Sequence, residues 1–146
     1  MTEKFVNTEE NNKVFFDSNI FVYSVDNDEP SKQVIAQKLL SDAAINRNGV
    51  ISTQNLQEFY NAVTKKHRKT KEDAKLDVEA FSHSFPVQQI TPSIIFKAID
   101  IQIKNTLSFY DSLILSTASK NGCVVCYSED MNAGQVIEGV KVVNPF

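Results

Sequence analysis

Residues 14–16, Val-Phe-Phe, are an apolar run with no polar residue alternating through it, and the run stops abruptly at Asp17. A strand with one face in water alternates polar and apolar positions. One without alternation reads as buried on both faces, as in the centre of a parallel sheet. Further along, the spacing becomes helical. Pro30 opens a helix to about residue 46 with Ile35, Leu39 and Ala43 on one face, and Asn48-Gly49 closes it. Residues 50–52 give a second short strand, after which Thr53 caps a helix whose apolar stripe is Leu56, Phe59, Tyr60 and Val63. Thr70-Lys71-Glu72-Asp73 reads as a capping box for a helix carrying Ala74, Val78 and Phe81, and residues 87–90 as a third strand. Thr91-Pro92 starts a helix to about residue 104 whose buried face is Ile94, Ile95, Ala98 and Ile99. A last helix spans residues 110–120 and stops at Asn121-Gly122, and residues 123–127 and 140–143 are the fourth and fifth strands. Strands alternating with helices predict an α/β chain, a three-layer α/β/α sandwich around a central parallel sheet of four to five strands. Residues 1–12, polar and acidic, read as a flexible tail ahead of a single domain over residues 13–146.

That architecture gives the acids a meaning. Strands of a parallel sheet end at one edge, so Asp17 after the first strand and Ser128-Glu129-Asp130 after the fourth share a side. The helix beginning at Tyr110 leads into a parallel strand and must therefore start near that same edge, which brings Asp111 there with a favourable helix dipole. Asp17 and Asp111 also suit helix starts, where aspartate caps free amides. Ile114, Leu115 and Ala118 follow Asp111 at i+3, i+4 and i+7, which sets it on or beside the buried face. Two carboxylates ~4 Å apart repel by roughly 4 kcal/mol at an effective dielectric of 20, so converging acids call for a cation. No Lys or Arg adjoins Asp17, Asp111 or Asp130, and a hard divalent ion, Mg²⁺ or Mn²⁺, suits oxygen ligands. Glu58 stands one turn into its helix near the same edge, but its position opposite the Leu56, Phe59 and Val63 stripe reads as solvated surface.

Composition narrows the class. With 146 residues, 42% hydrophobic and 23% charged, the chain has the make-up of a soluble globular protein. No apolar run approaches the roughly 18 residues of a membrane span, and the start lacks the apolar core of a signal peptide, so the expected setting is the cytoplasm. Cys123 and Cys126 match C-x-x-C inside a strand, where positions three apart face opposite ways; they read as small buried hydrophobes rather than as a disulfide or zinc site. A net charge of −3 is not that of an obvious nucleic-acid binder. The exception is local: residues 65–71, KKHRKTK, gather cations in one connector, either a solvated loop or an RNA contact through Lys65, Lys66, Arg68 and Lys69.

Four segments, FFDSNIFVYS, ISTQNLQEFYNAV, LSFYDSLILSTA and YSEDMNAGQVIEGVKVVNPF, resemble in order those of PIN-domain proteins, most closely the VapC-type toxins of toxin–antitoxin pairs. The resemblance spans the chain after residue 12. It implies a central first strand and a metal-dependent endoribonuclease, in which Asp17, Glu58, Asp111 and Asp130 are catalytic and surround one or two Mg²⁺ ions. Asp17, Asp111 and Asp130 would be the metal ligands. Glu58 is thereby recruited against the helical wheel. Asp130 is preferred to Glu129 because the family's Thr/Ser-x-Asp pattern falls on it. Ser18 and Ser128 are secondary candidates to orient a carboxylate. The family further implies hydrolysis leaving a 5′ phosphate, a small antitoxin as partner and a homodimer, and its chemistry needs no histidine, in keeping with His67 and His83 lying outside the acid motifs. Other classes stay in view. A haloacid-dehalogenase-type phosphatase wants a second Asp where Asn19 stands. A receiver-like signalling module would hold Mg²⁺ without a substrate, and a noncatalytic PIN scaffold would keep the fold alone.

Overall fold

The computed structural model describes residues 12–146; the expected tail falls almost wholly on residues outside these. At the centre of the sheet lies β1 (Val14–Phe16), flanked in parallel by β2 (Gly49–Ser52) and β4 (Val125–Tyr127). Beyond β2 comes β3 (Val87–Gln88), and beyond β4 comes β6 (Val140–Val143), both parallel. The short β5 (Val136–Ile137) pairs antiparallel with β6 and completes the order β3-β2-β1-β4-β6-β5. The sheet is thus one strand wider than expected. The extra strand is two residues at an edge, too short to leave a pattern.

Among the described residues six helices cover it: α1 (Ser18–Ser24), α2 (Pro30–Asn46), α3 (Thr53–Lys65), α4 (Lys71–Ser84), α5 (Pro92–Lys104) and α6 (Phe109–Lys120). The period of two in β1 explains the layers. Phe15 points into a core with Ile101, Ile114, Leu115 and Ala118 of α5 and α6. Phe16 points the other way, into a core with Phe21, Ala36, Leu40, Phe59 and Ala74 of α1 to α4. Both rings are fully buried, which accounts for the absence of alternation in the sequence.

Several element ends differ from the sequence reading. Ser52, not Thr53, caps α3, and it forms a reciprocal capping box with Asn55. Arg47, in the left-handed conformation at φ 55°, ends α2, so Gly49 is free to enter β2. There it is required for space: a Cβ would stand 2.7 Å from Cε1 of buried Phe85. On α5 the buried face is Ile94, Ala98 and Ile101, while Ile99 is exposed because α6 packs one side of α5 and leaves the other bare. Cys123 and Cys126 are free and buried, and burial raises both thiols, Cys123 to about 12. Among the described residues no helix is long and apolar enough to cross a membrane.

Candidate active site

The sheet order reverses at β1, since the chain runs outward through β2 and β3 and then returns to β4 on the other side. A crevice opens at such a switch point, beyond the carboxyl ends of the strands. Two backbone bonds hold its floor together: the Asp17 amide donates to the Tyr127 carbonyl at 2.8 Å and the Ser128 amide to the Val143 carbonyl at 2.9 Å. A cleft of about 500 Å³ lies there, and Asp17, Glu58, Asp111 and Asp130 all line it.

Each acid arrives by its own route. Asp17 leaves β1 and caps α1, with Oδ1 accepting from the Ser18 amide at 2.7 Å and Oδ2 from the Ser128 hydroxyl at 2.7 Å. It therefore fills the capping role and lines the cleft at once. Asp111 sits in the first turn of α6 behind the cap Ser108, half-buried as its place beside Ile114 and Leu115 predicts. Gln54, in the first turn of α3, donates to the Tyr110 carbonyl at 3.1 Å and so ties the start of α6 to the helix that carries Glu58.

Glu58 itself accepts from the Ser18 hydroxyl at 2.7 Å and is half-buried, not solvated. The wheel misplaced it for a reason. Gln54, Asn55, Glu58 and Ala62 share one side of α3, and α1 packs over that side, so the buried arc is wider than the apolar stripe and partly polar. Asn55, 1% exposed, is the hub: its side chain donates to the Phe16 carbonyl and the Ser18 hydroxyl and accepts from the Ser52 amide. Nothing in its spacing set it apart. A polar residue three after a Ser cap was the available signal.

Asp130 accepts from Asn19 Nδ2 at 3.0 Å, and its amide donates to the Ser128 hydroxyl at 3.2 Å. Glu129 does not line the cleft; its carboxylate is taken by Lys32 and Tyr23. Burial works against its charge, but those two hydrogen bonds outweigh burial and hold the carboxyl below its usual range. The basic connector divides. Lys66 and His67 line the cleft, Lys69 is ion-paired with Asp77, and Lys65 and Arg68 are exposed outside it.

The electrostatics are those of crowded acids. Burial pushes Asp17 up to about 6 against the pull of its Ser128 and Ser18 hydrogen bonds, and the charges of Asp111 and Glu58 push the same way. Asp111 is raised too, by burial first and by Asp130 as well. Among the described residues, however, no group of three or more His, Cys, Asp or Glu is arranged to hold a metal ion. The expected ligand set of Asp17, Asp111 and Asp130 shares the cleft without forming a coordination cage. Both oxygens of Asp17 and one of Asp130 are engaged by protein donors. The donor chemistry, all hard carboxylate oxygen, fits a divalent cation; the pre-formed geometry of a coordination sphere is not there among the described residues.

The PIN domain family model matches residues 14–136. Among solved structures, DNA-bound VapBC from Salmonella typhimurium superposes with a TM-score of 0.71 at 17% identity, over 92% of this chain and 99% of that one. A toxin–antitoxin complex from Klebsiella pneumoniae gives 0.65 at 21% identity, over 92% and 98%. The sarcin-ricin-loop-cleaving toxin VapC20 from Mycobacterium tuberculosis gives 0.61 at 16%, over 81% and 90%. At such identities the likeness is one of fold. No curated protein matches the sequence.

Proposed function

The chain belongs to the PIN domain family, and from that premise we propose that it is a divalent-metal-dependent endoribonuclease acting in the cytoplasm as the toxin of a toxin–antitoxin pair. The observation that carries the reading is the cleft at the sheet's switch point, where Asp17, Glu58, Asp111 and Asp130 converge from β1, α3, α6 and the turn after β4. Asp17, Asp111 and Asp130 would hold Mg²⁺, or Mn²⁺ in its place, and Glu58 completes the acidic set. Such an ion supplies activation of water near neutral pH and a clamp on a scissile phosphate.

The chain's own residues do the rest. Ser128 and the Ser18 amide orient Asp17, and the Ser18 hydroxyl orients Glu58, so neither carboxylate must reorganise when charge builds up. Lys66 brings positive charge to the wall of an otherwise acidic cleft, beside the His67 ring, where a phosphodiester backbone would lie. Exposed Lys65 and Arg68 extend that surface, while Lys69, engaged with Asp77, contributes least. The receiver-like and phosphatase classes lose their ground with the family assignment. A noncatalytic PIN scaffold remains the competing outcome of the test.

The same reading makes a small antitoxin the partner and a homodimer the assembly. Phe21 of α1 is core at 1% exposure and Ile35 of α2 is half-buried, so neither offers an open apolar face to a partner peptide. A groove between α3 and α4, floored by Leu56, Tyr60 and Val78, is the better support for peptide docking. Exposed Phe96, Ile99 and Ile103 stripe the outer side of α5, a surface suited to a second copy. The test of the activity is incubation of the purified chain with total cellular RNA, with Mg²⁺ or with chelator, followed by mapping of new 5′ ends. Discrete ends that vanish with chelator are the expected result; none above a no-protein control would leave the scaffold reading.

A further inference from the structure

Glu129 lies between two residues whose side chains serve the cleft, yet its own carboxylate turns away from it. Oε2 accepts from Lys32 Nζ at 2.6 Å and Oε1 accepts from the Tyr23 hydroxyl at 2.6 Å. Lys32 also stands 4.8 Å from the centre of the Tyr23 ring and 5.7 Å from that of Phe146, and the two rings meet edge-on at 5.0 Å. One carboxylate thus joins α1, α2 and the turn after β4.

Stability alone is a poor account of this cluster. The Lys32 and Glu129 side chains keep 32% and 24% of their exposure, and ion pairs in contact with water contribute little to stability. Direction is what three converging contacts give. Within the turn itself Met131 is buried, Asn19 Nδ2 donates to the Asp130 carboxylate at 3.0 Å, and the amides of Asp130 and Met131 reach the Ser128 hydroxyl at 3.2 and 3.3 Å, at the long end for hydrogen bonds. Without an anchor, a turn bearing two consecutive acids could present either one to the cleft.

We infer that Glu129, held by Lys32 and Tyr23, is a positioning residue that fixes the turn after β4 so that Asp130 presents its carboxylate to the cleft. This rests on the nuclease reading of that cleft. Neither Glu129 nor Lys32 touches the reacting groups; both act through Asp130.

The test compares the wild-type chain with Glu129→Ala, Lys32→Met, Lys32→Arg and the Lys32→Met/Glu129→Ala double variant. Two readouts are taken: steady-state cleavage of an RNA oligonucleotide with Mg²⁺, and backbone amide hydrogen exchange without metal. Glu129→Ala and Lys32→Met should each lower kcat about tenfold with KM moving less than about twofold, since sub-ångström misplacement acts on the chemical step. The double variant should fall no further than either single, and Lys32→Arg, which keeps the ion pair, should retain the wild-type rate. Exchange at Asp130 and Met131 should accelerate about tenfold while Val125–Tyr127 stays protected. Unchanged kcat and exchange in Glu129→Ala, or multiplicative losses in the double variant, would overturn the inference. If the wild-type chain cleaves no RNA but the two amides still accelerate, the nuclease reading fails and the anchoring stands.

Discussion

A carboxylate as deeply set as Asp17 resists ionisation, and the pH dependence that follows has a definite sign. Its pKa is about 6 in the fold against 3.8 for the free carboxyl, so between those values the native chain binds a proton that the unfolded chain has released. Stability contributed by this group therefore falls as pH rises from about 4 to about 6 and then levels off, by at most ~3 kcal/mol. Asp17→Asn removes that titration. In chelator, the variant should gain ~1–2 kcal/mol relative to wild type on going from pH 4 to pH 7.5, as read from urea unfolding. The gain stays below the ceiling because at pH 4 the carboxyl of the unfolded chain is itself still partly protonated, so the window does not cover the whole titration. A difference that is flat with pH would mean that Asp17 ionises as freely as an exposed acid. Asn55 supplies the contrasting case, a fully satisfied buried amide with no charge. Asn55→Ala leaves the Ser52 amide and the Phe16 carbonyl without these partners and should cost ~2–4 kcal/mol at every pH.

Among elements, the helices were the most legible, because a 3.6 period over twelve or more residues leaves a stripe that short strands cannot match. The misreadings share one cause: a wheel assumes one buried face. α3 has a second neighbour in α1, so polar Gln54 and Asn55 are buried and Glu58 turns into the cleft, while on α5 apolar Ile99 is bare. The Asn48-Gly49 pair was read as a helix stop when the demand on Gly49 is spatial. Gly49→Ala should destabilise by ~1–3 kcal/mol, seen as a lowered midpoint of thermal unfolding, because Phe85 and Ala43 leave no room for a methyl group. The connector after α3 was legible as a cationic run, but only the fold separates its members. Lys66→Ser should weaken RNA binding and reduce the slope of log affinity against log salt by about 0.7, one phosphate contact on a single strand. Lys69→Ser, removing a lysine already paired with Asp77, should leave the slope unchanged. Unchanged affinity and slope in Lys66→Ser as well would return the whole run to the status of a solvated loop.

For the whole molecule, the inference that survived best was topological. Strand ends share an edge, a crossover helix begins at that edge, and so acids more than a hundred residues apart in sequence, Asp17 and Asp130, line one cleft. No local pattern says this. What the sequence could not yield is the hydrogen-bonded frame around the acids, since Asn19, Gln54, Asn55, Tyr23 and Lys32 have ordinary spacing and acquire partners only across elements. The same long-range assembly brings the acids together without forming a cage among the described residues: burial opposes the charge of Asp17, and its hydrogen bonds from Ser128 and Ser18 favour it. The most direct measurement is cleavage of cellular RNA by the wild-type chain, Asp17→Asn and Asp111→Asn, each with Mg²⁺ and with chelator, after circular dichroism has shown all three folded. The account predicts Mg²⁺-dependent cleavage by the wild type and a loss of at least about a hundredfold in each variant. Cleavage at the wild-type rate in both variants, or cleavage that persists in chelator, would contradict it.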